Sequence, residues 1–162
     1  MIFKRLKKKI TGERTNIKPR GEILIKNGVT GEVLIHEKNL VVNTSREILT
    51  LLAGAAQANK EITNVKVGTG TTPASLSDTD LMSAVIISGT TYYKAKTATT
   101  YPSSTSVKFE FELNSTEAND NLLTEFGLFD DDDTLFSRVV TAGTWKDATV
   151  TSLLIYWTIS FE

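Results

Sequence analysis

Ser106-Val107-Lys108-Phe109-Glu110-Phe111-Glu112-Leu113 decides the fold class. Successive side chains of an extended strand point to opposite faces, so Val107, Phe109, Phe111 and Leu113 share one side and Lys108, Glu110 and Glu112 the other. One face is dry and the other wet, as in an antiparallel sheet with solvent on one side. Further on, Leu123 to Phe129 and Thr134 to Val140 read as a hairpin around the acidic turn Asp130 to Asp133. The closing run sets Leu153, Ile155, Trp157, Ile159 and Phe161 against Ser152, Tyr156, Thr158 and Ser160.

Toward the N-terminus the same period recurs. Val65 and Val67 alternate with Lys66 before Gly68-Thr69-Gly70, and a Ser/Thr/Asp-rich loop containing Pro73 follows to about Asp80. Ile23 and Ile25, then Asn27-Gly28, then Val33 to His36 read as a second hairpin. Only Ser45 to Ala58 has helical spacing, carried by Ile48, Leu49, Leu51, Leu52 and Ala55. Thr44 and Glu47 have the spacing of a capping box at its start, while Gly54 weakens its second half by about 1 kcal/mol relative to alanine. Many strands and one helix predict a mostly β protein: an antiparallel β-sandwich or flattened barrel with one short α-helix near the start of the body. A parallel α/β fold lacks the crossover helices it would need.

The chain of 162 residues fits one domain plus an arm. Cysteine is absent, which removes disulfides, thiolate metal sites and cysteine nucleophiles. No apolar run reaches the roughly 18 residues of a membrane span, and MIFKRLKKKI lacks the apolar core and cleavage site of a signal peptide, so a soluble protein without membrane contact is expected. Charge is uneven. Residues 1–20 hold eight basic groups and the single acid Glu13, a formal +7, leaving ten basic and eighteen acidic residues, a formal −8, in residues 21–162. Pro19 and Gly21 punctuate the boundary, giving an extended basic arm (1–20) and a single β body (21–162).

Catalytic chemistry finds little support. His36, the one histidine, lies in an alternating run and reads as a solvated strand residue. Gly68-Thr69-Gly70-Thr71-Thr72 lacks the lysine and glycine spacing of a phosphate loop, and reads as a strand end that turns sharply. Asp130 to Asp133 lacks EF-hand spacing and reads as a hairpin tip kept soluble by charge. Glu110, Glu112 and Glu125 read as wet faces of strands. No catalytic, cofactor or metal residues are assigned, and a non-enzymatic protein is expected.

The arm is the strongest functional signal. Ordering each residue costs about 1–2 kcal/mol of backbone entropy, and a cationic segment this poor in apolar side chains needs a partner surface to repay it. The expected partner-binding residues are Ile2, Phe3, Lys4, Arg5, Leu6, Lys7, Lys8, Lys9, Ile10, Arg14, Lys18 and Arg20, with the apolar members entering grooves and the cations meeting acidic rims. Nucleic acid is the weaker partner, since the body is acidic and the arm offers only Phe3 for base stacking.

Three stretches together resemble tailed-bacteriophage virion proteins of the tail fibre, collar or appendage type. They are Asn64-Val65-Lys66-Val67-Gly68-Thr69-Gly70-Thr71-Thr72-Pro73 with Asp78-Thr79-Asp80-Leu81, then Glu125-Phe126-Gly127-Leu128-Phe129 with Leu135-Phe136-Ser137-Arg138, and finally Trp145-Lys146 with Ser152 to Phe161. The match spans about residues 39 to 161. The resemblance implies a virion structural role without catalysis, in a protein made in the host cytoplasm. Its partners would be other virion proteins, and a homo-oligomer or ring is expected from strand edges that invite pairing. The arm lies outside the resemblance, which favours an adaptor or connector over a complete receptor-binding fibre. Other readings are a capsid decoration protein, or a carbohydrate-binding module using Tyr92, Tyr93, Tyr101, Trp145 and Trp157, although Trp157 reads as core.

Overall fold

In a computed structural model, residues 18–54, 60–150 and 152–162 are described. Eleven strands and one helix follow in chain order: β1 (Pro19–Asn27), β2 (Val33–Val41), α1 (Ser45–Ala53), β3 (Ile62–Gly68), β4 (Ile86–Ile87), β5 (Thr90–Thr91), β6 (Tyr93–Ala95), β7 (Ala98–Ser103), β8 (Ser106–Asn114), β9 (Asn121–Asp130), β10 (Leu135–Lys146) and β11 (Ser152–Phe161). Nine of them form one antiparallel sheet in the order β6-β3-β9-β10-β2-β1-β11-β8-β7, and β4 and β5 pair separately. The fold is the mostly β, antiparallel one that the alternation predicts.

The sheet curls because two strands change partners. β2 pairs with β1 as far as Asn39↔Gly21, then offers Leu40 and Val41 to Arg138 and Ser137 of β10. At the opposite corner the chain steps from β6 to β7 within two residues. Lys96 donates its amide to Thr63 O at 2.8 Å, beside β3, and Thr97 donates to Glu110 O of β8 at 2.7 Å. Neighbouring residues thus bond to opposite edges of the sheet, which folds into a flattened barrel with two faces packed inward.

The inward faces carry the core. Ile23, Ile25, Phe111, Leu113, Leu153, Ile155, Trp157 and Ile159 meet Val65, Val67, Phe126, Leu128, Phe136 and Val139, all buried, and Ile48 of α1 closes one end. Each large apolar side chain so enclosed contributes about 1.5–3 kcal/mol. The first corner also contains a polar pin. Asn39 points inward, its amide oxygen accepts the Trp157 indole N–H, and its amide nitrogen donates to Ser137 Oγ at 2.9 Å. Ser137 donates in turn to Leu40 O at 3.0 Å. Gly21 lies opposite Asn39, and a Cβ there would sit 1.4 Å from the Asn39 amide, so only glycine leaves room for the pin.

Three expectations need correction. Thr44 makes no side-chain cap to α1, because its hydroxyl donates to Leu135 O of β10 instead; tertiary packing takes the group that a capping box would use. Asp130 is fully buried rather than a solvated tip. Its Oδ1 accepts the amides of Asp132 at 3.0 Å and Thr134 at 2.7 Å, and Lys60 lies 3.2 Å from Oδ2, so the carboxylate organises the turn. Glu125 is also fully buried. The expected helix ends at Ala53, and residues 55–59 lie outside the described residues.

Candidate assembly interface at the root of the arm

β1 begins at Pro19, so the body starts two residues before the boundary that Gly21 suggested. Proline suits the first position of a strand, where no ladder donor is required. Its neighbour Lys18 is tied to the last strand by backbone bonds in both directions, Lys18 N to Glu162 O at 2.8 Å and Glu162 N to Lys18 O at 3.3 Å. Of the expected partner-binding residues, Lys18 and Arg20 are therefore held on the body. Ile2, Phe3, Lys4, Arg5, Leu6, Lys7, Lys8, Lys9, Ile10 and Arg14 lie outside the described residues.

Beside this root lies a groove of about 1160 Å³, bounded by the start of β1, the ends of β2 and β11, α1, and the segment around Leu76. The antiparallel register builds it: Pro19↔Phe161 and Gly21↔Asn39 bring three strand ends to one rim, and α1 follows directly from β2. Asn43 donates its amide to Leu76 O at 3.0 Å and so fixes the far wall. Val41, Leu49 and Phe161 are half-buried in this lining, and Leu76 is 52% exposed.

The groove's charges sort into paired and unpaired. Arg20 Nε is 3.1 Å from Glu162, and Glu22 is 2.9 Å from His36 Nε2. Lys18, Lys38 and Arg46 also line the groove, and among the described residues they have no ion-pair partner. The lining thus holds four cations and two carboxylates beside its apolar side chains. Sequence reading found Lys18 and Arg20 through the basic run, but Lys38, Arg46, Leu49 and Phe161 belong to elements far apart in the chain.

Two of the three stretches quoted for the resemblance, 64–81 and 125–138, meet elsewhere, at Arg138. Residues 69–84 cross the outer face of β9 as a strap, and Arg138 lashes it down. Its Nε lies 2.7 Å from Glu125 Oε1, Nη1 2.7 Å from Asp78 Oδ2, and Nη2 3.0 Å from Thr72 O. Glu125 also accepts the amides of Met82 at 2.7 Å and Ser83 at 3.0 Å. Nearby, Lys66 reaches Asp133 at 2.8 Å and Asp80 at 3.4 Å, with its ammonium 4.1 Å from the centre of the Phe129 ring. A Cβ on Gly68 would meet Ser83 O at 2.6 Å, and one on Gly70 would meet Glu125 at 2.4 Å. Those glycines serve close approach of strap to strand. Both cations here are held by carboxylates of the same body, Arg138 by Glu125 and Asp78 and Lys66 by Asp133 and Asp80, which makes the cluster a structural latch.

The remaining candidates are dispersed. His36 is exposed on β2, as its alternation suggested. Tyr93 (58% exposed), Tyr101 (77%) and Trp145 (54%) stand on β6, β7 and β10, while Trp157 is core. Tyr92 is half-buried, and burial together with the Glu117 carboxylate pushes its phenol pKa well above the ordinary value. Among the described residues no group of three or more His, Asp or Glu could hold a metal ion, and no helix is long and apolar enough to cross a membrane. No family model, curated protein or solved structure matches the chain.

Proposed function

We propose that this protein is a non-enzymatic structural and assembly subunit of a tailed-phage virion, an adaptor or connector at the collar, tail or fibre attachment that docks to its neighbours through the N-terminal arm. The observation that carries the reading is electrical polarity: residues 1–17 carry a formal +5 and residues 18–162 a formal −6, and the two join at Lys18 beside a groove lined by Lys18, Lys38 and Arg46, which have no ion-pair partner among the described residues. Opposite poles on one chain favour head-to-tail stacking of copies and steer an acidic neighbour to the basic end. The sequence resemblance supports the virion setting. One edge supports contacts between copies: β7 bears no charge to repel a pairing strand over Ala98 to Tyr101, ahead of Pro102.

The arm test uses particles assembled with a chain lacking residues 2–17 as the sole source of this protein. A deletion starting inside β1 would confound folding with docking, so Lys18 and Pro19 stay. The variant is expected to fold and to be missing from purified particles.

A second reading, a head-surface decoration or carbohydrate-binding module, draws on the exposed rings of Tyr93, Tyr101 and Trp145. Binding in a glycan screen that disappears with Trp145→Ala would replace the assembly reading.

A further inference from the structure

We propose that the groove at the arm root is the seat of an acidic, apolar-anchored segment of another protein chain. This deepens the assembly reading and rests on it only for the identity of the partner as a virion protein. The groove's shape and charge select the occupant. Its half-buried lining of Val41, Leu49 and Phe161, with the exposed Leu76, offers apolar contact that phosphate chains cannot use. Burying one leucine-sized anchor there is worth about 1.5–3 kcal/mol. Lys18, Lys38 and Arg46 line the groove without ion-pair partners among the described residues, whereas Arg20 is already paired with Glu162, and the one other carboxylate of the lining, Glu22, lies 2.9 Å from His36 Nε2.

The same charges make residues 2–10 of this chain a poor match for the groove. Residues 2–10 carry five basic groups and no acid, so seating them would bring like charges together there. An acidic partner suits the groove for the same reason that it suits the basic sequence of residues 2–10. Recognition would take the form of an amphipathic segment laid in a groove, with apolar anchors down and carboxylates toward Lys38 and Arg46.

The experiment selects random peptides of about 12 residues on the immobilised full chain, then measures the enriched sequences by fluorescence anisotropy. The full chain retains its arm, so any affinity due to the arm alone persists in a groove variant. Expected are acidic peptides with apolar anchors that bind about tenfold more weakly to Lys38→Glu/Arg46→Glu and to Leu76→Glu, both checked for unchanged thermal unfolding. A peptide of residues 2–10 should not compete for the labelled site. Three outcomes overturn the inference: no enrichment, enriched peptides that are basic or indifferent to the groove variants, or displacement by a duplex oligonucleotide as effective as unlabelled peptide. Because no virion enters this experiment, its failure is distinguishable from failure of the arm-deletion test, which leaves the groove intact.

Discussion

Arg138 and Glu125 face each other across β9 and β10, with Nε 2.7 Å from Oε1 and both side chains fully buried. Such a pair gains little over a well-packed apolar one, but breaking it strands a charge in the interior. Arg138→Leu leaves Glu125 and Asp78 uncompensated and should cost about 3–5 kcal/mol in urea unfolding. Glu125→Leu in the same background should recover part of that loss. Additive losses would mean that the pair does not act as a unit.

The corner pin makes a second prediction. Asn39→Ala removes the acceptor of the Trp157 indole N–H and should cost about 1–3 kcal/mol. Gly21→Ala expels the Asn39 side chain and should cost a similar amount. The double variant should then lose little more than either single one, and a double-mutant cycle by denaturant titration decides it.

Thr44→Ala should destabilise the protein by about 1 kcal/mol through loss of the bond to Leu135 O, while Glu47→Ala should stay within about 0.5 kcal/mol. Thermal unfolding of the two variants separates a tertiary tie from a helix cap. A reversed order would restore the capping box.

Acid sensitivity should centre partly on Glu117. Burial raises its pKa, but the Lys94 ammonium, 2.7 Å away, and the Asn114 amide outweigh that and hold it below the ordinary 4.5. A carboxyl depressed in the folded state contributes stability that is present above the unfolded pKa and lost as pH falls through the folded one. Glu117→Gln should therefore lower the melting temperature at about pH 7 and narrow the difference between about pH 7 and about pH 3. An unchanged difference would remove Glu117 from the acid response.

Strands with one wet face were legible from residue order. In Ser106–Leu113 the apolar residues alternate cleanly, and in Leu153–Phe161 the buried face follows the period although Leu154 falls on the other side. β9 misleads because the strap of residues 69–84 covers Glu125 on its outer face, while Lys60 and the turn amides of Asp132 and Thr134 enclose Asp130, so both look solvated in sequence yet are buried. That covering depends on pairs such as Asp78 and Arg138, sixty residues apart, which no local pattern announces. The groove was hidden for the same reason: its cations come from β1, β2 and α1, and only the basic run around Lys18 and Arg20 pointed to it.

In the proposed assembly the arm is required to hold the protein in the particle, and contacts of the β body add to it without replacing it. Purified particles built with the chain lacking residues 2–17 test it most directly, by quantifying this protein against an invariant particle component. The variant is expected to unfold at the wild-type temperature and to be absent from particles. Incorporation at the wild-type level would contradict that requirement.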